Sequence, residues 1–134
     1  MKYLISCLLC MALLLNFGCQ PDAIDPNIYN SEDVDQMPEF PGGTQKLYEY
    51  ISSQIKYPAE ARENGISGKV VVKFYVDTEG FVRDVHAQSG PGHGLNEEAV
   101  RVVKLMNVGH RWTPGMKDNK EVSVYFLLPI KFVL

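Results

Sequence analysis

Every second residue of the last thirteen in the chain is apolar, from Val122 to Leu134. A period of two places these side chains on one face of a β-strand. A strand with one continuous apolar face is unstable by itself, so it has to join a sheet whose apolar face is covered. Pro129 lies within the strand, and proline lacks the N–H group that a sheet ladder uses. We therefore expect this strand to lie at the edge of its sheet.

The residues before this strand supply two amphipathic helices and a β-hairpin. Apolar residues at helical spacing predict one helix after Thr44 and a second helix after Asn96. The apolar stripes consist of Leu47, Tyr50, Ile51 and Ile55 in the first helix and of Leu95, Ala99, Val102, Val103 and Met106 in the second. Between them, residues 69–76 and 81–88 are typical of two strands joined by a turn that contains Gly80. The poorer alternation of the second strand predicts a bulge.

The order helix, strand, strand, helix, strand determines the fold class that we expect. A helix between the second and third strands lets the third strand run parallel to the second, with the first strand between them. Both helices then cover the same face of the sheet. The prediction is an α+β fold: a two-layer sandwich in which a three-stranded, antiparallel-type sheet carries two helices on one face.

Residues 1–18 have the layout of a secretory signal peptide. Lys2 gives a positive start, residues 4–15 are apolar apart from Ser6, and Gly18 precedes Cys19. Twelve helical residues rise about 18 Å, which is too short for a bilayer core of about 30 Å. The Gly18-Cys19 ending resembles a lipobox. We therefore expect Cys19 to be lipidated and to hold a periplasmic lipoprotein at a membrane, with an ordinary cleaved signal peptide as the alternative.

Residues 19–37 are expected to form a lipidated N-terminus and a flexible acidic spacer that leads into one domain at residues 38–134. The spacer contains prolines, asparagines and five acidic residues, and it has no apolar period. Such a composition buries too little apolar surface to order itself. The eighteen residues after Cys19 span only about 25 Å as a flexible coil. The domain would therefore stay close to its membrane.

Composition and charge argue against several classes of function. The formal net charge is −3, and it becomes −4 without the signal segment, whose one charged residue is Lys2. A mildly acidic domain without a basic stripe is not expected to bind nucleic acid. Cys7 and Cys10 lie in the signal segment, so Cys19 alone would remain, and it can form no internal disulfide. The three histidines lack paired metal-ligand spacing, and no nucleophile or paired-carboxylate motif indicates an enzyme, so we expect no metal, cofactor or catalysis.

A series of short motifs, in order from about residue 37 to residue 134, resembles the TonB C-terminal domain family in the form common in Bacteroidetes. The motifs are Pro38-Glu39-Phe40-Pro41-Gly42-Gly43, Ile55-Lys56-Tyr57-Pro58 with Ala61, Gly65-Ile66, Gly68-Lys69-Val70, Gly80-Phe81-Val82 with Asp84-Val85, Asn96-Glu97-Glu98-Ala99, Trp112-Thr113-Pro114-Gly115, and Leu128-Pro129-Ile130 with Phe132. Each motif alone is weak, but together, at family-like spacing, they make the resemblance specific.

The resemblance implies a binding module that captures a TonB-box-like peptide of an outer-membrane receptor by adding it to the edge of the sheet, in support of energised transport. This agrees with the edge position predicted for the last strand. The residues expected to contact the partner are Lys56, Tyr57, Pro58, Trp112, Val122, Ser123, Val124, Tyr125 and Phe126. Lys56 stands where the best-known members of the family carry glutamine, so the resemblance suggests an acidic partner peptide.

Two alternatives stay open at this stage. Energy transducers of the family begin with a true membrane-spanning helix and a long proline-rich spacer, whereas here we expect the apolar segment to be too short to span a membrane and the spacer to be brief. A lipid-anchored envelope scaffold without a role in energy transduction, pairing with another protein or forming a homodimer through the same edge, is therefore the second hypothesis. Trp112, Tyr57-Pro58 and Lys56 also have structural interpretations: a core side chain, a helix break and a solvated helix-end cation, respectively.

Overall fold

The computed structural model describes residues 26–134 of the chain. Cys19 and the predicted signal peptide lie outside the described residues. The elements in chain order are β1 (Ile28–Tyr29), a 3₁₀ turn (Ser31–Asp33), α1 (Thr44–Gln54), α2 (Ala59–Glu63), β2 (Gly68–Val76), β3 (Val82–Ser89), α3 (Leu95–Leu105), β4 (Gly115–Lys117) and β5 (Lys120–Phe132). The α+β class and the order helix, strand, strand, helix, strand are confirmed.

The long strand β5 pairs antiparallel with the central strand β2. This ladder has no register shift between the Val124–Val76 pair and the Phe132–Gly68 pair. On the other side of β2, β3 is also antiparallel, and its register shifts twice. Asp84 of β3 has a φ of 53°, so the bulge predicted for this strand is present as a local irregularity. The two strands that flank β2 therefore run parallel to each other, as the sequence predicts.

The core lies between the helices and one face of the sheet. The buried set includes the predicted stripe of α3, two residues of the α1 stripe and the inward-facing residues of the strands: Leu47, Ile51, Val70, Val72, Phe74, Val76, Leu95, Ala99, Val102, Val103, Met106, Leu128, Ile130 and Phe132. The other two residues of the first predicted stripe, Tyr50 and Ile55, are partly buried against this core. Each strand contributes alternate residues, because successive side chains point to opposite faces. On the opposite face, Lys73 and Tyr75 of β2 remain partly exposed. The fold is therefore a two-layer sandwich with helices on one face.

Two short strands add to the predicted three-stranded sheet. β4 forms a hairpin with the start of β5, and its turn residues Asp118 and Asn119 both have positive φ, which is typical of a two-residue hairpin. β1 pairs parallel with β5, so the sheet is mixed. The segment predicted to be a flexible spacer is ordered from β1 onward. Its composition buries little apolar surface, but backbone pairing with a neighbouring strand orders it without requiring such burial.

No helix within residues 26–134 has both the length and the apolar character needed to cross a membrane.

Candidate functional site

The outer edge of β5 is the most regular strand edge of the sheet. Within residues 26–134, no strand pairs with the side of β5 that faces away from β2 between Phe126 and Phe132. β3 forms the other edge, but its register shifts and the positive φ of Asp84 interrupt it, and a bulge disturbs the pairing of an incoming strand. A long strand in unbroken register presents its C=O groups at a constant spacing, and its N–H groups likewise except at Pro129, which has none. β5 therefore presents the better template for strand addition.

The beginning of this edge is covered by the chain itself. Ile28 pairs with Ser123, and Tyr29 pairs with Val124, in parallel orientation. Both strand residues are half-buried, whereas Asn30 is exposed. The structure therefore places an internal strand over part of the region where the sequence predicts partner contacts.

The segment that follows β1 is held by the hairpin of β4 and β5. The Lys117 ammonium group donates to the carbonyl oxygen of Asp33 at 2.7 Å and lies 5.1 Å from the centre of the Tyr29 ring. The amide of Asp118 donates to the Asp35 carboxylate at 2.8 Å, and the amide of Asp35 donates to the carbonyl of Met116, also at 2.8 Å. These contacts anchor residues 33–35 to the hairpin. β1 itself is held to β5 by only two residue pairs.

Lys56, Tyr57 and Pro58 lie near the opposite end of β5. The Tyr57 ring packs edge-on against Phe132 with 5.9 Å between ring centres, and its hydroxyl donates to the carbonyl of Ile66. Phe132 is eight residues after Val124, and strands rise about 3.3 Å per residue, so the two parts of the predicted site are roughly 26 Å apart. The structure therefore does not bring Lys56, Tyr57 and Pro58 together with residues 122–126. Tyr57 contacts β5 at Phe132, and residues 122–126 lie toward the start of the same strand.

Glu98 fixes the backbone at Lys56. Its carboxylate accepts from the Lys56 amide at 2.9 Å and from the Arg101 guanidinium at 2.5 and 2.9 Å. Arg101 also donates to the carbonyl of Gln54 at the end of α1, at 3.0 Å. The hydrogen bond from Arg101, and after it the bond from the Lys56 amide, hold the pKa of Glu98 below its usual value although burial opposes the shift. The Lys56 side chain itself is exposed.

A groove follows the same end of the edge, between α1 and β5. It is lined by Tyr48, Ile51, Ser52, Lys69, Pro129, Ile130 and Lys131. Lys69 and Lys131 are exposed and directly opposite each other on β2 and β5. Like charges at opposed positions destabilise a sheet, and no salt bridge to either lysine is present among the described residues. This end of the edge is therefore locally electropositive.

Trp112 lies in the core and is only 2% exposed. Its ring contacts Phe40, Phe74 and Phe126 edge-on, with ring centres 5.3 to 5.7 Å apart. Its indole Nε1 is buried and has no hydrogen-bond partner among the residues that the structure describes. Trp112 therefore supports the sheet from inside and does not lie on the surface that β5 exposes.

The three histidines are placed apart. His86 is on β3. His93 precedes α3, and its Nδ1 lies 3.4 Å from Oε1 of Glu60. His110 packs against the rings of Phe40 and Tyr50. Within residues 26–134, no group of three or more histidine, cysteine, aspartate or glutamate side chains is arranged to hold a metal ion.

The sequence interpretation missed β1, Lys117 and the pairing of Lys69 with Lys131. Ile28-Tyr29 is a β-favouring pair inside a polar stretch, but two residues are too few to distinguish a strand from a chance pair. The register of β2 against β5, which opposes the two lysines, depends on how the strands meet in three dimensions. It has no signal in the local pattern.

Comparisons with known proteins agree on one family. A family model described as Gram-negative bacterial TonB protein C-terminal matches residues 53–134. Two solution structures of the TonB C-terminal domain of Helicobacter pylori are similar to this chain at 27% identity. The longer one has a TM-score of 0.52, with 67% of this chain and 78% of that chain covered. The shorter one has a TM-score of 0.51, with 66% and 90% covered. No curated protein matches the chain.

Proposed function

Because the chain belongs to the TonB C-terminal family of Gram-negative bacteria, we propose that it binds the N-terminal segment of an outer-membrane receptor as an added strand on the outer edge of β5. The family is non-enzymatic, associated with transport and found in the cell envelope. The bound segment would link the receptor to energised transport across the outer membrane.

The observation that carries this proposal is the unbroken register of β5, together with an outer side that no strand within residues 26–134 pairs with between Phe126 and Phe132. A receptor segment that pairs from Phe126 to Phe132 would find seven consecutive residues in extended conformation. Backbone hydrogen bonds would then supply affinity that is largely independent of sequence, and side-chain contacts along the edge would supply specificity. Phe126 would contribute through its backbone, because its side chain packs against the core.

The charges near the end of the edge favour an acidic residue in the partner. Lys69 and Lys131 face each other there, and Lys56 lies on the adjacent loop next to Tyr57, which packs against Phe132. A carboxylate placed between the two lysines would relieve their repulsion. We therefore propose a receptor peptide with an apolar stretch along β5 and an acidic residue near Lys131.

Binding by strand addition is tested by a titration with N-methylated peptides. The probes are fluorescent peptides copied from the N-terminal extensions of the outer-membrane receptors of the same organism. Along an edge, alternate peptide amides point toward the sheet and away from it. N-methylation of one alternate set should abolish binding, and methylation of the other set should leave it unchanged. Equal effects of the two sets would exclude strand addition, and no binding by any receptor peptide would exclude the proposed function.

The membrane attachment predicted at Cys19 is a separate part of the proposal. A lipid at Cys19 would keep the domain near its membrane. The domain would then bind a partner close to that membrane and would not itself span the envelope. Mass spectrometry of the mature N-terminus should detect an acylated cysteine. Cys19→Ala should then release the chain into the soluble periplasmic fraction. A mature N-terminus without a lipid would remove the anchor from the proposal and leave the binding edge unaffected.

A second candidate function uses the same edge to pair with another copy of the chain or another envelope protein. The exposed side chains Leu127, Val133 and Leu134, with 54%, 76% and 61% exposure, lie on β5 and directly after it, and exposed apolar residues at a strand edge favour association. Analytical ultracentrifugation separates the two candidates. A stable dimer that receptor peptides fail to dissociate would favour the scaffold, whereas a monomer that binds the peptides would favour transport.

A further inference from the structure

We propose that β1 is an internal ligand of the β5 edge, which a receptor peptide has to displace before it can pair with Ser123 and Val124. The inference rests on the function proposed above and adds a competitor that belongs to the chain itself. It is carried by the parallel pairing of Ile28 with Ser123 and of Tyr29 with Val124.

The position of β1 makes it a competitor for part of the edge. It occupies the outer side of β5 at two positions, and the open side begins beyond them at Phe126. A peptide that pairs along the whole strand would need the backbone groups that β1 uses. Both cannot hold the same N–H and C=O groups of β5 at once. Occupancy by β1 therefore shortens the edge that a partner can use.

The pairing itself is short, so β1 can be displaced. Two residue pairs supply few hydrogen bonds, each with a net contribution of about 1 kcal/mol. What favours β1 is its connection to an anchored segment. Asp33 and Asp35 are bound by Lys117, Met116 and Asp118, which keeps β1 at a high effective concentration beside β5. A partner peptide that gains more pairs along the edge can replace it without detaching this anchor.

Lys117 couples the anchor to β1. Its ammonium group bonds to the carbonyl of Asp33 at 2.7 Å and lies 5.1 Å from the centre of the Tyr29 ring. A cation over an aromatic ring is attracted to it. One side chain therefore stabilises both the strand and the segment behind it, and its removal should weaken β1 while the ladder of β2 and β5 stays intact.

A reversible disulfide tests the proposal in the full chain. Ile28→Cys and Ser123→Cys are introduced after Cys7, Cys10 and Cys19 have been replaced by serine. Opposed residues of neighbouring strands are close enough for a disulfide. The oxidised form should lose at least tenfold in affinity for the receptor peptides, and reduction should restore it. The control pair, Met116→Cys with Glu121→Cys, links β4 to β5 and should leave peptide affinity unchanged in both redox states.

Opening β1 should have the opposite effect. Tyr29→Pro removes a backbone N–H and disfavours strand pairing. If β1 covers the edge about 90% of the time, its removal raises the apparent affinity about tenfold. Ser31→Pro is the matched control, because it starts the 3₁₀ turn after Asn30, whose extended backbone (ψ 160°) already suits a following proline. A fluorescent peptide with the chain's own sequence from Pro26 to Asp35 should also bind the Tyr29→Pro variant better than the parent chain.

The outcomes separate this inference from the proposed function. Equal affinity in the oxidised and reduced forms, or failure of the 28–123 disulfide to form, would overturn the internal ligand and leave receptor binding intact. Absence of binding in the reduced form, the Tyr29→Pro variant and the parent chain alike would overturn the proposed function and the inference with it.

Discussion

The carboxylate of Glu98 accepts a hydrogen bond from the backbone amide of Lys56 at 2.9 Å, across 42 positions of sequence. This bond joins the loop after α1 to the first turn of α3. Arg101 completes the link, because it bonds to Glu98 and to the carbonyl of Gln54. The position of the Lys56 backbone therefore depends on an acidic residue of another helix.

The first prediction concerns this link and pH. The hydrogen bond from Arg101, and then that from the Lys56 amide, lower the pKa of Glu98 below its ordinary 4.5. A depressed carboxyl pKa adds stability above the unfolded value, and this stability is lost as pH falls through the folded value. Glu98→Gln should therefore destabilise the domain by about 1–2 kcal/mol at pH 7, and by much less at a pH below both values. Urea unfolding at the two pH values measures this difference.

Glu97→Gln is the matched control, because Glu97 is exposed in the same turn of α3. It should change the free energy of unfolding by no more than about 0.5 kcal/mol at either pH. Equal destabilisation by Glu98→Gln at both pH values would show that the carboxylate charge is not what stabilises the link.

The second prediction has opposite signs for stability and for binding. Lys131→Glu places an acid directly opposite Lys69 and should stabilise the domain by roughly 0.2–1 kcal/mol. The same change should lower the affinity for an acidic receptor peptide about tenfold, because it reverses the charge at the end of the edge. The loss of affinity should be smaller at high salt. Fluorescence titration and thermal unfolding measure the two effects. Lys104→Glu, on the exposed face of α3, should leave binding unchanged, and a loss of affinity there would contradict a local role of Lys131.

The sequence was most informative where one face of an element is buried. The apolar stripe of α3 and the period of two in β5 as far as Phe132 were predicted correctly, because burial imposes a regular spacing on the side chains. In the α1 stripe, Tyr50 and Ile55 are only partly buried, and Leu134 lies beyond β5 and is exposed. The position of β5 beside β2 also followed from Pro129 and the element order, but the predicted edge was only partly right, because β1 pairs with β5 at Ser123 and Val124. Asn96, in contrast, after which the second helix was expected to begin, lies within α3, which starts at Leu95. Its side chain accepts from the amide of Gly92, and Gly94 occupies the cap position.

The candidate site was less predictable, because it depends on contacts between segments far apart in sequence. β1 forms because an open edge lies beside it, and its polar neighbours give no sign of this. Lys56, Tyr57 and Pro58 were predicted together with residues 122–126 as partner contacts. A family resemblance identifies such residues but gives no distances between them. Only the length and register of β5 place the two groups at opposite ends of one strand.

The third prediction separates a core role of Trp112 from a role in binding. The ring fills a space between Phe40, Phe74 and Phe126. Its Nε1 has no hydrogen-bond partner within residues 26–134. Trp112→Ala should cost about 3–5 kcal/mol. Trp112→Phe keeps an aromatic ring and removes the unpaired donor, so it should cost only about 1 kcal/mol. Circular dichroism follows unfolding in both variants. Peptide affinity should be unchanged in Trp112→Phe. A large loss of peptide affinity in a variant whose stability is unchanged would mean that the indole contacts the partner.

The last prediction concerns the contact between the hairpin turn and Trp112. Gly80 has a φ of +87°, and a Cβ atom added there would lie 2.1 Å from the carbonyl oxygen of Trp112. The two residues are also joined by a hydrogen bond of 3.0 Å from the Trp112 amide to the Gly80 carbonyl. Gly80→Ala therefore combines an unfavourable backbone angle with a clash against backbone that cannot rotate away. Gly65→Ala is the matched control, since Gly65 has a φ of +64° and nothing within 4 Å of the added atom.

The control variant Gly65→Ala should lower the free energy of unfolding by about 1–2 kcal/mol, which is the penalty for an alanine in a left-handed backbone conformation. Gly80→Ala should cost at least about 2 kcal/mol more in chemical denaturation, because the hairpin and the Trp112 segment have to separate or distort. The extra loss should coincide with faster hydrogen exchange at the Trp112 amide, whose acceptor is Gly80. If the two variants are equally stable, backbone angle alone explains both, and the close approach of the hairpin to Trp112 does not constrain the fold.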